Sequence, residues 1–235
     1  MKTIGLIGGM SWESTVPYYQ TINRVVGRRL GGLHSAKIAL YSVDFDDIET
    51  LQHTGRWEES GAILADAARA IRRAGADFIV LCTNTMHKVA PQIEAAVDVP
   101  LLHIADATAA RVKAAGLARV GLLGTRFTME EDFYRGRLET RHGLSVRTPT
   151  ADQRALVHGV IYGELCLGNV RGESRQAFQQ VVAGLVAQGA QGIILGCTEI
   201  GLLLRQEDAP VPLFDTATIH AEAAAEFALS DRPRV

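Results

Sequence analysis

A cysteine and a glutamate, with one residue between them, end an apolar stretch in the second half of the chain. The stretch reads Gly-Ile-Ile-Leu-Gly-Cys-Thr-Glu over residues 192–199. Consecutive apolar residues bounded by glycine are typical of a strand buried on both faces of a parallel sheet. Ligands of open α/β sheets bind just beyond the carboxyl ends of such strands. Cys197 is therefore a candidate base toward a bound molecule, and Glu199 is a candidate to position its sulfur or to bind an ammonium group.

Both residues also have simpler interpretations. An isolated cysteine on an apolar strand is usually a small core residue. Glu199 could equally be a carboxylate that complements the dipole at a helix start. A catalytic thiolate needs a lowered pKa, and we expect the N-terminus of the helix after the strand to lower that of Cys197. Chemistry is favoured over packing because the chain contains this stretch twice.

The earlier copy covers residues 75–84 and reads Gly-Ala-Asp-Phe-Ile-Val-Leu-Cys-Thr-Asn. Its first glycine precedes Gly189 by 114 residues, and at this offset Thr83 aligns with Cys197. Pairing Cys82 with Cys197 would need a shift of one residue. Successive strand residues point to opposite faces, so only one of the two can face as Cys197 does. We expect it to be Thr83.

Two further segments repeat at similar spacing. Residues 4–8 match residues 120–124 at an offset of 116, and the Val-Pro-Leu of residues 99–101 matches that of residues 211–213 at an offset of 112. This period is too long for a solenoid repeat. It predicts an α/β protein made of two similar lobes with parallel sheets, related by a pseudo-two-fold axis, with the active site in the cleft between them.

The repeat also predicts the domain boundary. We expect a first lobe over residues 1–115 and a second over residues 116–235, with the C-terminal helix as an element that could pack back on the first. Neutral hydroxyl and amide groups follow the thiol-bearing strands of both halves. Such groups, together with backbone N–H groups at helix starts, suit a substrate that carries a carboxylate and an ammonium group.

Composition excludes several classes of protein. The chain has 235 residues, 47% of them hydrophobic and 21% charged, and a net charge of −2. This balance argues against nucleic acid or an anionic membrane as the main partner. No apolar segment approaches the length that spans a bilayer, and three cysteines do not form a disulfide framework. We expect a cytoplasmic protein with reduced thiols.

Two other motifs give weaker signals. The Gly8-Gly9 turn lacks the spacing of a dinucleotide-binding loop, so a tight strand-to-helix turn with Ser11 as the N-cap is the better interpretation. The carboxylates of Asp44, Asp46 and Asp47 could form a solvated loop or the mouth of a site. No spacing among them defines a metal geometry, so no metal site is predicted.

Three motifs together resemble the aspartate/glutamate racemase family. They are Gly-Gly-Met-Ser-Trp-Glu-Ser at residues 8–14, Thr-Asn-Thr-Met-His at residues 83–87 and Gly-Cys-Thr-Glu at residues 196–199. The resemblance covers nearly the whole chain and is strongest to the branch of L-aspartate/glutamate-specific and broad-specificity amino-acid racemases. It implies proton transfer on both faces of the substrate α-carbon without pyridoxal phosphate or another cofactor. It also implies a homodimer.

The resemblance further implies roles for individual residues. Typical aspartate racemases carry a cysteine in each half, and here the first is replaced by Thr83 while Cys197 is kept. A threonine hydroxyl is a much poorer base than a thiolate, so we expect α-proton exchange to be faster from one enantiomer, and the resemblance favours the L form. The expected substrate-binding residues are Met10, Gln52, Asn84, Thr85, Thr125, Thr198 and Glu199.

Specificity for the substrate side chain is less clear-cut. Typical aspartate racemases have an arginine and a lysine near positions that are Ile48 and Glu164 here, and Asp47 adds a further negative charge. These residues favour neutral substrates such as homoserine or methionine. Arg126, which follows a repeat strand, and Gln52 favour an acidic side chain. We expect aspartate or glutamate, with broad neutral specificity as the alternative.

Two other classes of function stay open. A non-catalytic amino-acid-binding module could use the same cleft, since losing one catalytic cysteine is a route to such a protein. A lyase or cis–trans isomerase that uses a single thiol is the third alternative. Cys197 together with Glu199 favours an enzyme.

Overall fold

A computed structural model describes residues 1–230 and divides the chain into two compact units. The first comprises residues 1–103 together with the chain from residue 220 onward, and the second comprises residues 104–219. The predicted boundary lay after residue 115. The last five residues of the predicted second lobe lie outside the described residues.

The first unit contains a four-stranded parallel sheet in the order β2-β1-β3-β4. Helices cover it, and its apolar core lies between sheet and helices. Its elements are β1 (Ile4–Gly8), α1 (Trp12–Leu30), β2 (Ile38–Ser42), α2 (Phe45–His53), α3 (Trp57–Arg73), β3 (Phe78–Leu81), a 3₁₀ helix (Thr85–Val89), α4 (Ala90–Ala96) and β4 (Leu101–Leu102).

The second unit repeats this topology, with a four-stranded parallel sheet in the order β6-β5-β7-β8. The prediction of an α/β protein with two similar parallel-sheet units is confirmed. The elements are α5 (Ile104–Ala114), β5 (Arg119–Gly124), α6 (Arg126–Glu130), α7 (Arg135–His142), β6 (Ser145–Arg147), α8 (Ala151–Gly163), a 3₁₀ turn (Leu165–Leu167), α9 (Gly172–Ala187), β7 (Ile193–Gly196), α10 (Ile200–Leu203), a 3₁₀ turn (Gln206–Asp208), β8 (Leu213–Asp215) and α11 (Thr216–Leu229), which continues into the first unit.

The pairing registers of the two sheets show which residues of the repeat are equivalent. Ile7 of β1 pairs with Leu81 of β3, and Leu123 of β5 pairs with Leu195 of β7. The β1 and β5 residues are 116 positions apart, whereas their partners are 114 apart. Thr83 lies two positions beyond Leu81, just as Cys197 lies two positions beyond Leu195. Thr83 is therefore the structural equivalent of Cys197.

Two glycines at equivalent positions allow close packing in both units. A Cβ on Gly5 would lie 2.3 Å from Cγ2 of Ile71, and a Cβ on Gly121 would lie 2.9 Å from Cδ1 of Leu185. In each unit the glycine lets the helix that precedes the thiol-bearing strand approach the first strand closely. These two helix residues are themselves 114 positions apart, in agreement with the strand register.

Local structure departs from expectation at two helix starts. Residues 45–53 form α2, and Asp44 caps it by accepting a hydrogen bond from the N–H of Asp46 at 3.1 Å. The aspartates therefore belong to a helix start. Ser11 does occupy the N-cap of α1, but its side chain makes no capping hydrogen bond. Instead, its carbonyl accepts from the hydroxyls of Ser14 and Thr15.

Within residues 1–230, the helices are too short or too polar to cross a bilayer.

Candidate active site

The second unit brings a thiol, a hydroxyl and a carboxylate together at the end of β7. The Cys197 thiol donates to Oε2 of Glu199 at 2.9 Å, and the Thr198 hydroxyl donates to the same oxygen at 2.8 Å. All three residues are buried, with Glu199 only 2% exposed. Buried carboxylates require hydrogen-bond donors, and here both come from the two preceding residues. The thiol proton therefore lies directly against a carboxylate that can accept it.

This environment raises the pKa of Cys197 well above its ordinary value. Burial is the main cause, followed by the negative charge of Glu199, the nearby Cys166 and the hydrogen bond to Glu199. The expectation that a helix N-terminus lowers this pKa is wrong. The following helix, α10, has only four residues, and its dipole does not outweigh burial beside a carboxylate. Cys197 is a protonated thiol at neutral pH.

The first unit ends its equivalent strand with a sharp turn. The N–H of Cys82 donates to the Ile7 carbonyl at 2.9 Å, which continues the sheet, and the N–H of Thr83 turns back to the Leu81 carbonyl at 2.9 Å. The Cys82 side chain is fully buried, and burial raises its pKa far above the ordinary range. Cys82 is therefore a core thiol, whereas Thr83 keeps 7% exposure, equal to that of Cys197.

The two equivalent residues differ in their hydrogen bonds. Within residues 1–230 the Thr83 hydroxyl has no hydrogen-bond partner, whereas the Cys197 thiol has Glu199. The Thr83 carbonyl is bound by Nδ1 of His87 at 2.7 Å. Asn84 and Thr85, the next two predicted binding residues, are both buried. The first unit thus offers a hydroxyl with no adjacent base of its own.

Two other predicted binding residues lie in the core of the first unit. Gln52, on α2, is 3% exposed, and its Nε2 donates to the sulfur of Met86 at 2.9 Å. Met10 packs in the same apolar cluster as Met86 and Ile48. Ile48 has no exposed surface, so the position that carries a cation in typical aspartate racemases is a packing residue here.

The candidate selectivity residues have different local environments. Glu164 accepts a hydrogen bond from the Ser174 hydroxyl at 2.6 Å and lies 3.6 Å from Arg171. Its charge is therefore engaged within its own unit. Asp47 is exposed and lines an open surface groove together with Arg56 and other residues of α2 and α3. The groove lies away from the buried face of α2 that carries Gln52.

Arg126 opens α6 directly after the N-cap Thr125, whose hydroxyl accepts from the N–H of Thr128 at 3.3 Å. The guanidinium carbon of Arg126 lies 4.8 Å from the centre of the Phe127 ring. This cation has no carboxylate partner in the part of the chain that the structure describes. It is therefore available for an anionic group.

Sequence reasoning missed a buried cluster of histidines in the first unit. Nδ1 of His220 lies 3.0 Å from the Tyr18 hydroxyl, and its Nε2 lies 2.8 Å from the Leu102 carbonyl. A carbonyl can only accept, so Nε2 carries the proton and Nδ1 accepts from the tyrosine. Burial lowers the pKa of His220 to about 4, so its ring is neutral at physiological pH. The ring centres of His103 and His220 lie 4.4 and 6.0 Å from that of His87.

No local signal could have identified this cluster, since its members come from α1, the 3₁₀ helix after β3, the end of β4 and α11. As for metals, residues 1–230 contain no group of three or more His, Cys, Asp or Glu side chains arranged to hold an ion.

Two four-stranded parallel sheets and a buried thiol–carboxylate pair at one strand end define an α/β protein with a candidate catalytic thiol. The sequence profile of the Asp/Glu/Hydantoin racemase family matches residues 7–224, so the chain belongs to this family. Its enzymatic class is that of the racemases, which are isomerases.

Individual relatives agree with this assignment. The broad-specificity amino-acid racemase RacX of Bacillus subtilis (strain 168) is 25% identical over 225 residues, which cover 94% of this chain and 95% of the relative. A proposed Asp/Glu racemase from Yersinia pestis is 59% identical, with a TM-score of 0.91 over 97% of this chain and 100% of that chain. An aspartate racemase homologue from Pyrococcus horikoshii OT3 is 35% identical, with a TM-score of 0.82 over 97% and 99% of the two chains.

The charge of Glu199 should control the ionisation of Cys197. In a chain carrying Cys82→Ala and Cys166→Ala, we expect Glu199→Gln to move the pH profile of Cys197 alkylation by iodoacetamide about one to two pH units lower. The neutral amide removes the repulsion that opposes the thiolate. Glu164→Gln in the same background is the control and should leave the profile unchanged, since Glu164 is engaged by Ser174 and Arg171. An unchanged profile in Glu199→Gln would contradict the assigned cause.

Proposed function

We propose that the chain is an amino-acid racemase that needs no pyridoxal phosphate and acts by proton transfer on both faces of the substrate α-carbon. Its expected substrates are aspartate and glutamate, with a preference for the L enantiomer. The observation that carries the proposal is the buried hydrogen bond between Cys197 and Glu199. A thiol that can pass its proton to a neighbouring carboxylate can alternate between acid and base, as two-way α-proton transfer requires.

The Cys197 side supplies the stronger base. As the Cys197 thiol proton moves to Glu199, the sulfur becomes a thiolate that can abstract the α-proton. The reverse movement returns a proton to the same face. Because the thiol begins protonated, the thiolate forms only while the substrate is bound and the carboxylate accepts the proton. The Thr198 hydroxyl holds the carboxylate oxygen in place throughout.

The Thr83 hydroxyl is the weaker proton-transfer group, so the two enantiomers exchange their α-protons at different rates. We take the opposition of Thr83 to Cys197 across the α-carbon from the family resemblance. The matching strand registers support the equivalence of the two residues, each within its own unit. The Thr83 hydroxyl has no base beside it within the described residues, so it is suited to relay a proton and not to abstract one. Starting from the L enantiomer, Cys197 removes the α-proton, and the Thr83 hydroxyl delivers its proton to the other face while it takes a replacement proton from water.

This asymmetry is testable by α-proton exchange in deuterated water, followed by NMR for each enantiomer. We expect faster exchange from L-aspartate or L-glutamate than from the D form. Cys197→Ala should reduce exchange by about 10²- to 10⁴-fold, the usual contribution of a general base. Thr83→Cys should raise exchange from the slower enantiomer, because a thiol is the better proton-transfer group.

Cys82→Ala is the matched control. It should keep the activity, because Cys82 is a fully buried core thiol. Its loss of activity would mean that Cys82 is the group opposite Cys197. Equal exchange rates from both enantiomers would contradict the asymmetry.

Binding of amino acids without exchange would favour a binding module. Elimination or cis–trans isomerisation without racemisation would favour a single-thiol lyase or isomerase. Hydroxylamine, a scavenger of pyridoxal phosphate, should leave exchange unchanged.

Arg126 supports an acidic substrate. An acidic side chain in a buried site needs a cationic partner, and arginine is the favoured one. Arg126 has no carboxylate partner in the described part of the chain and directly follows the N-cap Thr125. Broad specificity for neutral amino acids is the second candidate. It is favoured by buried Ile48, by Glu164 and by the similarity to RacX.

A panel of amino acids distinguishes the two candidates. We expect faster exchange with aspartate or glutamate than with homoserine or methionine. Arg126→Ala should raise KM for the acidic substrates about tenfold while leaving neutral ones unaffected, since a charge-assisted hydrogen bond contributes about 1.5–3 kcal/mol. Arg147→Ala, a second exposed arginine of the same unit, is the control and should change neither. Faster turnover of homoserine or methionine would establish the broad-specificity alternative.

We further propose that the protein is a homodimer, as the family resemblance implies. Helix α1 carries an exposed apolar stripe of Trp12, Val16 and Tyr19, spaced four and three residues apart and therefore on one helix face. Leu40, on the edge strand β2, is also half exposed, and its side chain approaches Gly8 beside Thr15 of α1. Apolar surface of this kind suits a contact with a second copy.

The dimer can be tested by light scattering during size-exclusion chromatography. Val16→Glu should convert the dimer to a monomer, because a buried unpaired charge opposes association. Leu167→Glu introduces the same charge at an exposed leucine of the second unit and should leave the dimer intact. A monomeric wild type, or a Val16→Glu variant that stays dimeric, would contradict this surface.

A further inference from the structure

His87 is bound to the main chain of Thr83 and not to its hydroxyl. The imidazole Nδ1 lies 2.7 Å from the Thr83 carbonyl oxygen. Because this oxygen can only accept, Nδ1 carries the hydrogen. From this contact we infer that His87 is a positioning residue, which holds the backbone of Thr83 so that its hydroxyl is fixed for proton delivery. The inference rests on the proposed racemase function.

The backbone around Thr83 explains why such a support is needed. The Thr83 N–H turns back to the Leu81 carbonyl, so the chain leaves the sheet at this residue. The sheet therefore no longer holds the peptide that follows Thr83. Buried carbonyls need a partner, and the His87 side chain supplies it for Thr83. The His87 N–H donates to the Asn84 carbonyl at 3.1 Å, which closes the turn that carries the ring.

The ring of His87 is itself held by buried neighbours. His103 and His220 pack against it, and His87 is only 2% exposed. His220 is fixed in turn between the Tyr18 hydroxyl and the Leu102 carbonyl, and burial keeps its ring neutral. A ring held in this way keeps the Thr83 carbonyl in a fixed position, as a residue that supports a reactive group must do.

The geometry assigns His87 a support role and not that of a proton donor to the threonine. Its Nδ1 hydrogen is engaged by a carbonyl oxygen, which has no proton to exchange. Loss of this bond should therefore disturb only the step that depends on the placement of the Thr83 hydroxyl. Abstraction and return of the proton by Cys197 and Glu199 should continue.

The test uses the full chain with an L substrate in deuterated water and measures two rates together. One is deuterium incorporation into the L enantiomer, which needs only the Cys197 side. The other is formation of the D enantiomer, which also needs Thr83. Their ratio is independent of the amount of folded protein, so general destabilisation leaves it unchanged. We expect His87→Phe to raise the ratio by about tenfold or more, since small misplacements of reacting groups are costly.

Two variants complete the design. His87→Asn places an amide N–H where Nδ1 was, so its ratio should return toward that of the wild type. Tyr18→Phe removes one contact of His220 and leaves the bond between His87 and the Thr83 carbonyl in place, so its ratio should rise less than that of His87→Phe. His87→Leu removes the same donor if His87→Phe does not accumulate in soluble form. An unchanged ratio in the Phe or Leu variant, or an equal rise in His87→Asn, would overturn the inference. A wild type without any exchange would instead refute the proposed function.

Discussion

The pairing register of the parallel strands is the constraint on which the candidate site depends. In each unit the residue proposed to transfer a proton lies two positions beyond a leucine that pairs with the first strand. A slip of one residue would turn Thr83 and Cys197 to the opposite face. Gly5 and Gly121 let a helix pack closely against the first strand of each sheet, because a Cβ at either position would collide with its neighbours. The two halves of the chain therefore share the position of this residue relative to the sheet, although the residue itself differs.

Burial explains why the three residues at the end of β7 act as one group. A carboxylate with 2% exposure is costly unless donors surround it, and the Cys197 thiol and the Thr198 hydroxyl are those donors. Burial, and after it the charge of Glu199, keep the thiol neutral at rest, because a desolvated thiolate beside a carboxylate is disfavoured. Reactivity then depends on proton movement within the pair. It does not depend on a permanently ionised cysteine.

Much of the fold followed from local patterns, since glycine-bounded apolar runs identified the paired strands of both sheets. The repeat offset of 114 also separated Thr83 from Cys82, and the strand registers agree with it. The ionisation of Cys197 could not be predicted from such patterns. Whether a helix dipole or a carboxylate controls Cys197 depends on burial and on a distance within 3 Å. The Tyr18–His220 contact joins residues 202 positions apart, so no pattern in the chain predicts it.

The two strand ends show how one topology came to hold its reactive residues by different means. At the offset of 114, Glu199 corresponds to Thr85 and Gly201 corresponds to His87. The second unit therefore supports the reactive side chain itself, through a charged neighbour two residues on. The first unit supports the main chain instead, through an imidazole ring four residues on. A cysteine placed at Thr83 would gain a thiol but no carboxylate to take its proton. The asymmetry consequently resides in the residues that follow each strand as well as in the two proposed to transfer protons.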